Sequence, residues 1–220
     1  MSTSPQFPGV PMTKHRQLVP GHSTRFRPLW TPGSSGAEIT GIGIRSSDAA
    51  ANAVIIGVAK AITLASAMGT ANFVDNGGSA DTITRTSGSF VTDGWVTGER
   101  LLVNGATTLA NDFDVLLTGV AAGSLTLATG GGTVSTAEAL AAATKLYRLV
   151  QLGIVSVPLN AGSTEAAAAI SGLDTTEMPF LDVSPDRRLL LGSDDVLFVA
   201  AISALGSGEV LDVFAQGADY

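Results

Sequence analysis

Side chains able to do chemistry are scarce and scattered in this chain of 220 residues. It has two histidines, His15 and His22, and no cysteine. The missing cysteine removes thiolate nucleophiles, thiolate metal sites and disulfides. Both histidines fall in a proline-rich first segment, where a His–carboxylate pair would lack the rigid support that catalysis needs. A serine nucleophile elbow takes Gly-x-Ser-x-Gly on a strand–turn–helix, and Gly206-Ser207-Gly208 has the wrong spacing. Gly130-Gly131-Gly132-Thr133 lacks the lysine and the spacing of a phosphate loop. Gly41 and Gly43 begin a dinucleotide-like pattern, but Ser46 stands where its third glycine belongs. A closely packed strand accounts for these two glycines better.

Oxygen ligands for a hard cation are offered by Asp112 with Asp114 and by Asp194 with Asp195. Neither pair continues into a loop of the calcium-binding type. Gly77-Gly78-Ser79-Ala80-Asp81 is similar to one unit of a calcium β-roll. Ala80 replaces its third glycine, however, and the unit occurs once where several copies are needed. These acids read as solvated turn residues, and nothing selects a carboxylate pair for glycosidic chemistry. No residue is therefore assigned to catalysis, a cofactor or a metal, and the chain is expected not to be an enzyme.

The elements around these residues follow from composition. Ala 31, Gly 26, Thr 23 and Ser 20 make up nearly half the chain, against 14% charged and 5% aromatic residues. That is too apolar and too weakly charged for a disordered protein. Charge is unevenly spread. Residues 1–37 hold Lys14, Arg16, Arg25 and Arg27 and no acid, while the remainder has 8 basic and 19 acidic residues. Six of the nine prolines also fall in the first segment, and proline favours extended backbone. Residues 1–35 are thus expected to form an extended basic arm on an acidic body. Four cations over this length are thin for nucleic-acid binding. A solvated tail seldom carries Phe7, Val10, Leu18, Val19, Phe26, Leu29 and Trp30, which need a covering surface on this chain or another. The arm lacks the continuous apolar stretch of a secretory signal. Residues 49–68, the longest membrane-span candidate, hold Asn52, Lys60 and a β-branched centre that suits a buried strand.

From Glu38 onward the pattern is strand and turn, with turn signals about every 8–12 residues, as in all-β sandwiches and barrels. Strands are expected over 38–45, 53–62, 81–86, 100–103, 113–118, 124–128, 146–159, 189–191, 196–202 and 210–214. In the first, Ile42 and Ile44 share a face and Ile39 is out of phase. In the last, the phase of Val210 and Val213 suggests a bulge near Leu211 and Asp212. Gly206-Ser207-Gly208 suits a hairpin turn between the last two. Ser135-Thr136-Ala137-Glu138 fits a capping box before a short helix over 139–145, and Ser163-Thr164-Glu165 before 166–169 is a weaker one. Either equally suits a loop. The expected fold is mainly β: the arm (1–35), a discontinuous antiparallel jelly-roll-like β-sandwich (36–63 plus 145–220) and an inserted small β-barrel-like domain (64–144).

Three segments together resemble small structural proteins of tailed bacteriophages. They are residues 23–40, centred on Arg25, Phe26, Arg27, Pro28, Leu29 and Trp30; residues 147–162, where Val155, Ser156 and Val157 meet Pro158; and residues 189–198 leading to the ending at 210–220. Residues 81–95, with 98–105 and 124–128, resemble a small β-module of phage tail and capsid accessory proteins. The resemblance implies a virion component: a capsid decoration (cement) protein, made in the host cytoplasm and seated on the outer surface of the head. Its partners would be the major capsid protein and itself, as a homotrimer, with no nucleic acid and no membrane. The arm residues Lys14, Arg16, Arg25, Phe26, Arg27, Leu29 and Trp30 would staple neighbouring shell subunits, and the arm would be removable without unfolding the body. The alternatives are a tail, adaptor or fibre-base protein, and a surface carbohydrate-binding module in which Trp95 and Phe90 would supply the stacking face.

Overall fold

The computed structural model describes residues 11–128, 134–162, 170–171 and 189–220. The protein is mainly β, with no α-helix among the described residues. Its strands, in chain order, are β1 (Pro11–Leu18), β2 (Arg27–Trp30), β3 (Ala37–Ser46), β4 (Asn52–Leu64), β5 (Ala71–Val74), β6 (Thr82–Arg85), β7 (Arg100–Asn104), β8 (Asp114–Ala121), β9 (Ser124–Leu127), β10 (Glu138–Ala139), β11 (Lys145–Val157), β12 (Ile170–Ser171), β13 (Leu189–Leu191), β14 (Asp195–Ala201) and β15 (Leu211–Asp219). The chain divides into two compact units. Unit 1 is Met1–Val58 with Gln151–Tyr220, and unit 2 is Ala59–Val150. β4 and β11 each carry the chain from one unit to the other.

Unit 1 is a two-sheet β-sandwich. One sheet has the order β1-β15-β3-β12, with β13 also on β3, and the other contributes the neighbours β4, β14 and β2. Alternation explains which side chains go in. Leu211, Val213 and Ala215 of β15 and Ile42 and Ile44 of β3 meet Trp30, Val54, Ile56, Leu197 and Val199 in one core. β-Branched and large apolar residues suit such half-buried pleats.

The phase break at Ile39 has a structural cause. Between Gln216 and Gly217 the β15–β3 register slips, so that Gln216 faces Gly41 and Gly217 faces Ile39. Thr40 is the extra residue of a β-bulge, and it returns Ile39 to the buried face alongside Ile42. The bulge expected near Leu211 and Asp212 is not formed: these residues pair in continuous register with Ser46 and Arg45. Gly217 is required at the Thr40 bulge, because a Cβ would stand 2.0 Å from the Glu38 carbonyl oxygen.

Residues 11–30 are extended, as β1 and β2, and both strands are paired within unit 1. All eight residues of β1 pair antiparallel with β15, from Pro11 opposite Ala218 to Leu18 opposite Leu211. β2 pairs with β14 at the end of its sheet, the place where Pro28, lacking an N–H, is tolerated. Of the apolar residues that needed a cover, Leu18, Leu29 and Trp30 join the core of unit 1 and Phe26 is buried, whereas Val19 is exposed and Phe7 and Val10 lie outside the described residues. The turn at Gly206–Gly208 is present, with Gly208 at φ 82° and the Glu209 N–H bonded to the Gly206 carbonyl. It joins two sheets rather than making a hairpin, since β14 and β15 lie in different sheets.

Unit 2 has its own core, built on Met68, Phe73, Ile83, Phe90, Trp95, Leu101, Val115, Leu125 and Leu146. Its strand order is open, β10-β5-β6-β9-β8-β7, with Lys145–Arg148 of β11 paired to β7. The expected helix after Ser135 is absent, and Glu138 and Ala139 form β10 against β5. The groups that a capping box and first helical turn would use, the Ser135 N–H, the Thr136 carbonyl and the Glu138 carboxylate, are engaged elsewhere. The Val134 N–H donates to Asp81 at 2.8 Å, the Ser135 N–H to Asn111 Oδ1 at 2.8 Å, and Asn111 Nδ2 donates to the Thr136 carbonyl at 2.9 Å. The second helical candidate, 163–169, lies outside the described residues.

Candidate functional site

β1 presents alternate residues to opposite sides, so Met12, Lys14, Arg16 and Leu18 share the side toward β2, while His15 and Gln17 lie on the other. This decides the fate of the seven arm residues. Trp30 is fully buried, and its indole N–H donates to Asp219 Oδ1 at 2.8 Å. Lys14 Nζ stands 5.4 Å from the Trp30 ring centroid, a cation–π contact. Arg16 Nε donates to the Pro28 carbonyl at 2.8 Å. Phe26 and Leu29 are buried. Arg25 and Arg27 are partly exposed on the turn between the two strands and at the start of β2. The three apolar candidates are thus core residues of their own unit, and a partner could reach them only by unfolding it. The four cations remain near the surface of the same region.

The opposite side of β1 carries a cluster that the sequence did not announce. Gln17, Asp212 and Arg45 are register neighbours across β1, β15 and β3. Asp212 is buried and accepts hydrogen bonds from His15 Nε2 at 2.9 Å and Gln17 Nε2 at 3.1 Å, with Arg45 Nε 4.0 Å away. The His15 ring stacks on Phe214 at 4.7 Å. Asp212 therefore orients an imidazole, as the acid of a catalytic triad does. Among the described residues no hydroxyl is bonded to that imidazole. Its role here is to satisfy a buried carboxylate across strands. His15 and Asp212 are 197 positions apart, and only strand pairing joins them.

The remaining candidate acids are turn and core fasteners. Asp112 accepts the Ala106 N–H at 2.8 Å, Asp114 pairs with Arg100, and Asp195 accepts the Gly192 N–H at 2.9 Å. Asp81 accepts from both the Asn76 and the Val134 N–H. Among the described residues no group of three or more metal-ligating side chains comes together. In unit 2 the Arg85 guanidinium is buried, pairs with Asp93, donates to the Ala67 carbonyl at 3.1 Å and lies 4.7 Å from the Phe90 ring centroid. Asp93 also accepts from Thr63, whose hydroxyl accepts the Trp95 indole N–H at 3.1 Å. Phe90 and Trp95 are both buried by this network, so they form no exposed stacking platform for a sugar. Glu138 accepts from the Thr108 N–H and hydroxyl and from Asn111 Nδ2. Desolvation pushes its pKa up, but these hydrogen bonds outweigh that and hold it below the usual carboxylate value.

The chain matches no protein-family model and no curated protein.

Proposed function

We propose that this protein is a non-catalytic structural component of a bacteriophage head, a decoration protein that docks on the outside of the capsid shell. The observation that carries the reading is the gathering of cations in a chain of net charge −7. Lys14, Arg16, Arg25 and Arg27 all belong to β1, β2 and the turn between them, a cationic strip suited to an acidic partner surface. The resemblance of residues 23–40, 147–162, 189–198 and 210–220 to tailed-phage virion proteins supports the major capsid protein as that partner. Repeated weak contacts on a lattice multiply into strong retention, and a homotrimer would present three such strips at once. With Phe26, Leu29 and Trp30 in the core, docking falls to the basic side chains and not to an apolar staple.

The test is copy number in purified virus particles, by quantitative mass spectrometry against the major shell protein. A number comparable with the shell protein's is the expected result. A handful of copies would move the protein to the tail or neck, and absence from particles would overturn the virion reading.

A further inference from the structure

Where the turn after β1 folds back toward β2, the surface holds a pocket of about 160 Å³ lined by Arg16, Gln17, Leu18, Val19, His22 and Arg27. Liquid water occupies roughly 30 Å³ per molecule, so the pocket holds a small polyatomic ion with some water. Its lining residues include two arginines and a histidine and no acid; Gln17 also borders it, but its amide is committed to Asp212 on the other side of β1. Such a set is unexpected in a chain where acids outnumber bases 19 to 12. We infer that this pocket is a binding site for a phosphoryl group, with Arg16, Arg27 and His22 as its ligands.

Three features point to that chemistry. Arg16 spends its Nε donor on the Pro28 carbonyl at 2.8 Å, which fixes the side chain and leaves its two terminal amino groups as donors. A guanidinium so held matches the oxygens of phosphate in a forked arrangement. The three ligands come from three separate pieces of chain: β1, the turn that contains His22, and β2. Convergence from three directions suits a tetrahedral oxyanion better than a planar carboxylate, which one arginine satisfies alone. His22 Nδ1 is enclosed and has no hydrogen-bond partner among the described residues, so Nε2 is the nitrogen that the ring can offer to a ligand. The turn is held by backbone hydrogen bonds from the His22 N–H to Val19 and from the Arg25 N–H to His22, so the ring is presented by a formed element. The site does not depend on the virion reading.

Isothermal titration of the full chain with sodium phosphate, against sodium chloride at matched ionic strength, tests it. Saturable one-to-one heat with phosphate alone is expected. Arg27→Gln and His22→Phe should each weaken binding, about ten- to a hundred-fold for the arginine, the worth of one charge-assisted hydrogen bond. Far-UV circular dichroism of each variant checks folding, and the two variants serve as alternatives should one fail to fold. Lys14→Gln, outside the pocket lining, should bind as the parent does. Phenyl phosphate as competitor separates the sources. Displacement means that the site takes phosphomonoesters, and failure to displace means that it takes the free ion; either supports the site. No saturable heat, an equal response to chloride, or an equal loss in Lys14→Gln would overturn it.

Discussion

Replacing Trp30 by alanine asks whether the first 35 residues are a detachable arm or part of the fold. Trp30 is fully buried in the core of unit 1 and donates its indole N–H to Asp219. Truncating a buried Trp to Ala costs about 3–5 kcal/mol. The lost hydrogen bond to Asp219 adds little, because that carboxylate is partly exposed and water replaces the donor. A loss of about 4 kcal/mol is a large share of the 5–15 kcal/mol that holds a domain together. For a unit of about 130 residues each kcal/mol moves the melting temperature by about 3–4 °C, so a fall of about 12–16 °C is expected. The assay is thermal unfolding by far-UV circular dichroism. The chain's other tryptophan, Trp95, is buried in the core of unit 2, so its fluorescence in the variant reports that unit separately. Trp30→Phe keeps most of the ring and should lose far less. A Trp30→Ala protein that melts at the parent temperature would refute the burial and restore the arm as an independent segment.

Further perturbations test other parts of the reasoning. Deleting residues 1–35 strips Leu18, Phe26, Leu29 and Trp30 from unit 1. At about 1.5–3 kcal/mol for each large buried side chain unit 1 should unfold, seen as loss of hydrogen-exchange protection in β3 and β15; retained protection would contradict the fold. Gly217→Ala places a Cβ against the Glu38 carbonyl at the bulge and should destabilise by about 2–3 kcal/mol, read as a lower urea midpoint. Asp93→Ala leaves the buried Arg85 guanidinium without its counter-charge and should cost about 3–5 kcal/mol, whereas Arg85→Met with Asp93→Ala together should recover much of it. A folded-state pKa held below 4.5 at Glu138 means that its stabilising contribution is full above that pH and is lost as pH falls through the lowered value. Glu138→Gln should flatten the acid limb of stability against pH, and an unchanged limb would remove Glu138 from that account.

The sequence by itself determined the fold class and most of the strands. Alternating β-branched and apolar residues placed β3, β4, β7, β8, β9, β11, β14 and β15, because the period of two is a local property of the pleat. The glycine turn at 206–208 was legible in the same way. What tertiary structure decided was pairing and burial. Residues 11–30 read as an arm because proline and charge dominate their composition. Whether their apolar side chains are covered by this chain or by another depends on β15 and β14, almost two hundred positions away. Ile39 was visibly out of phase, yet only the register of β15 against β3 shows that Thr40 bulges out and returns Ile39 to the core. The helix after Ser135 failed because Asn111 and Thr108 reach across and engage the groups that its capping box and first turn would use, a competition that local propensity does not contain. His15 with Asp212, and Arg16 with His22 and Arg27, were equally invisible as groups. Side-chain chemistry is written residue by residue in the sequence, but the few ångströms that turn separate residues into a cluster exist only after the sheets have formed.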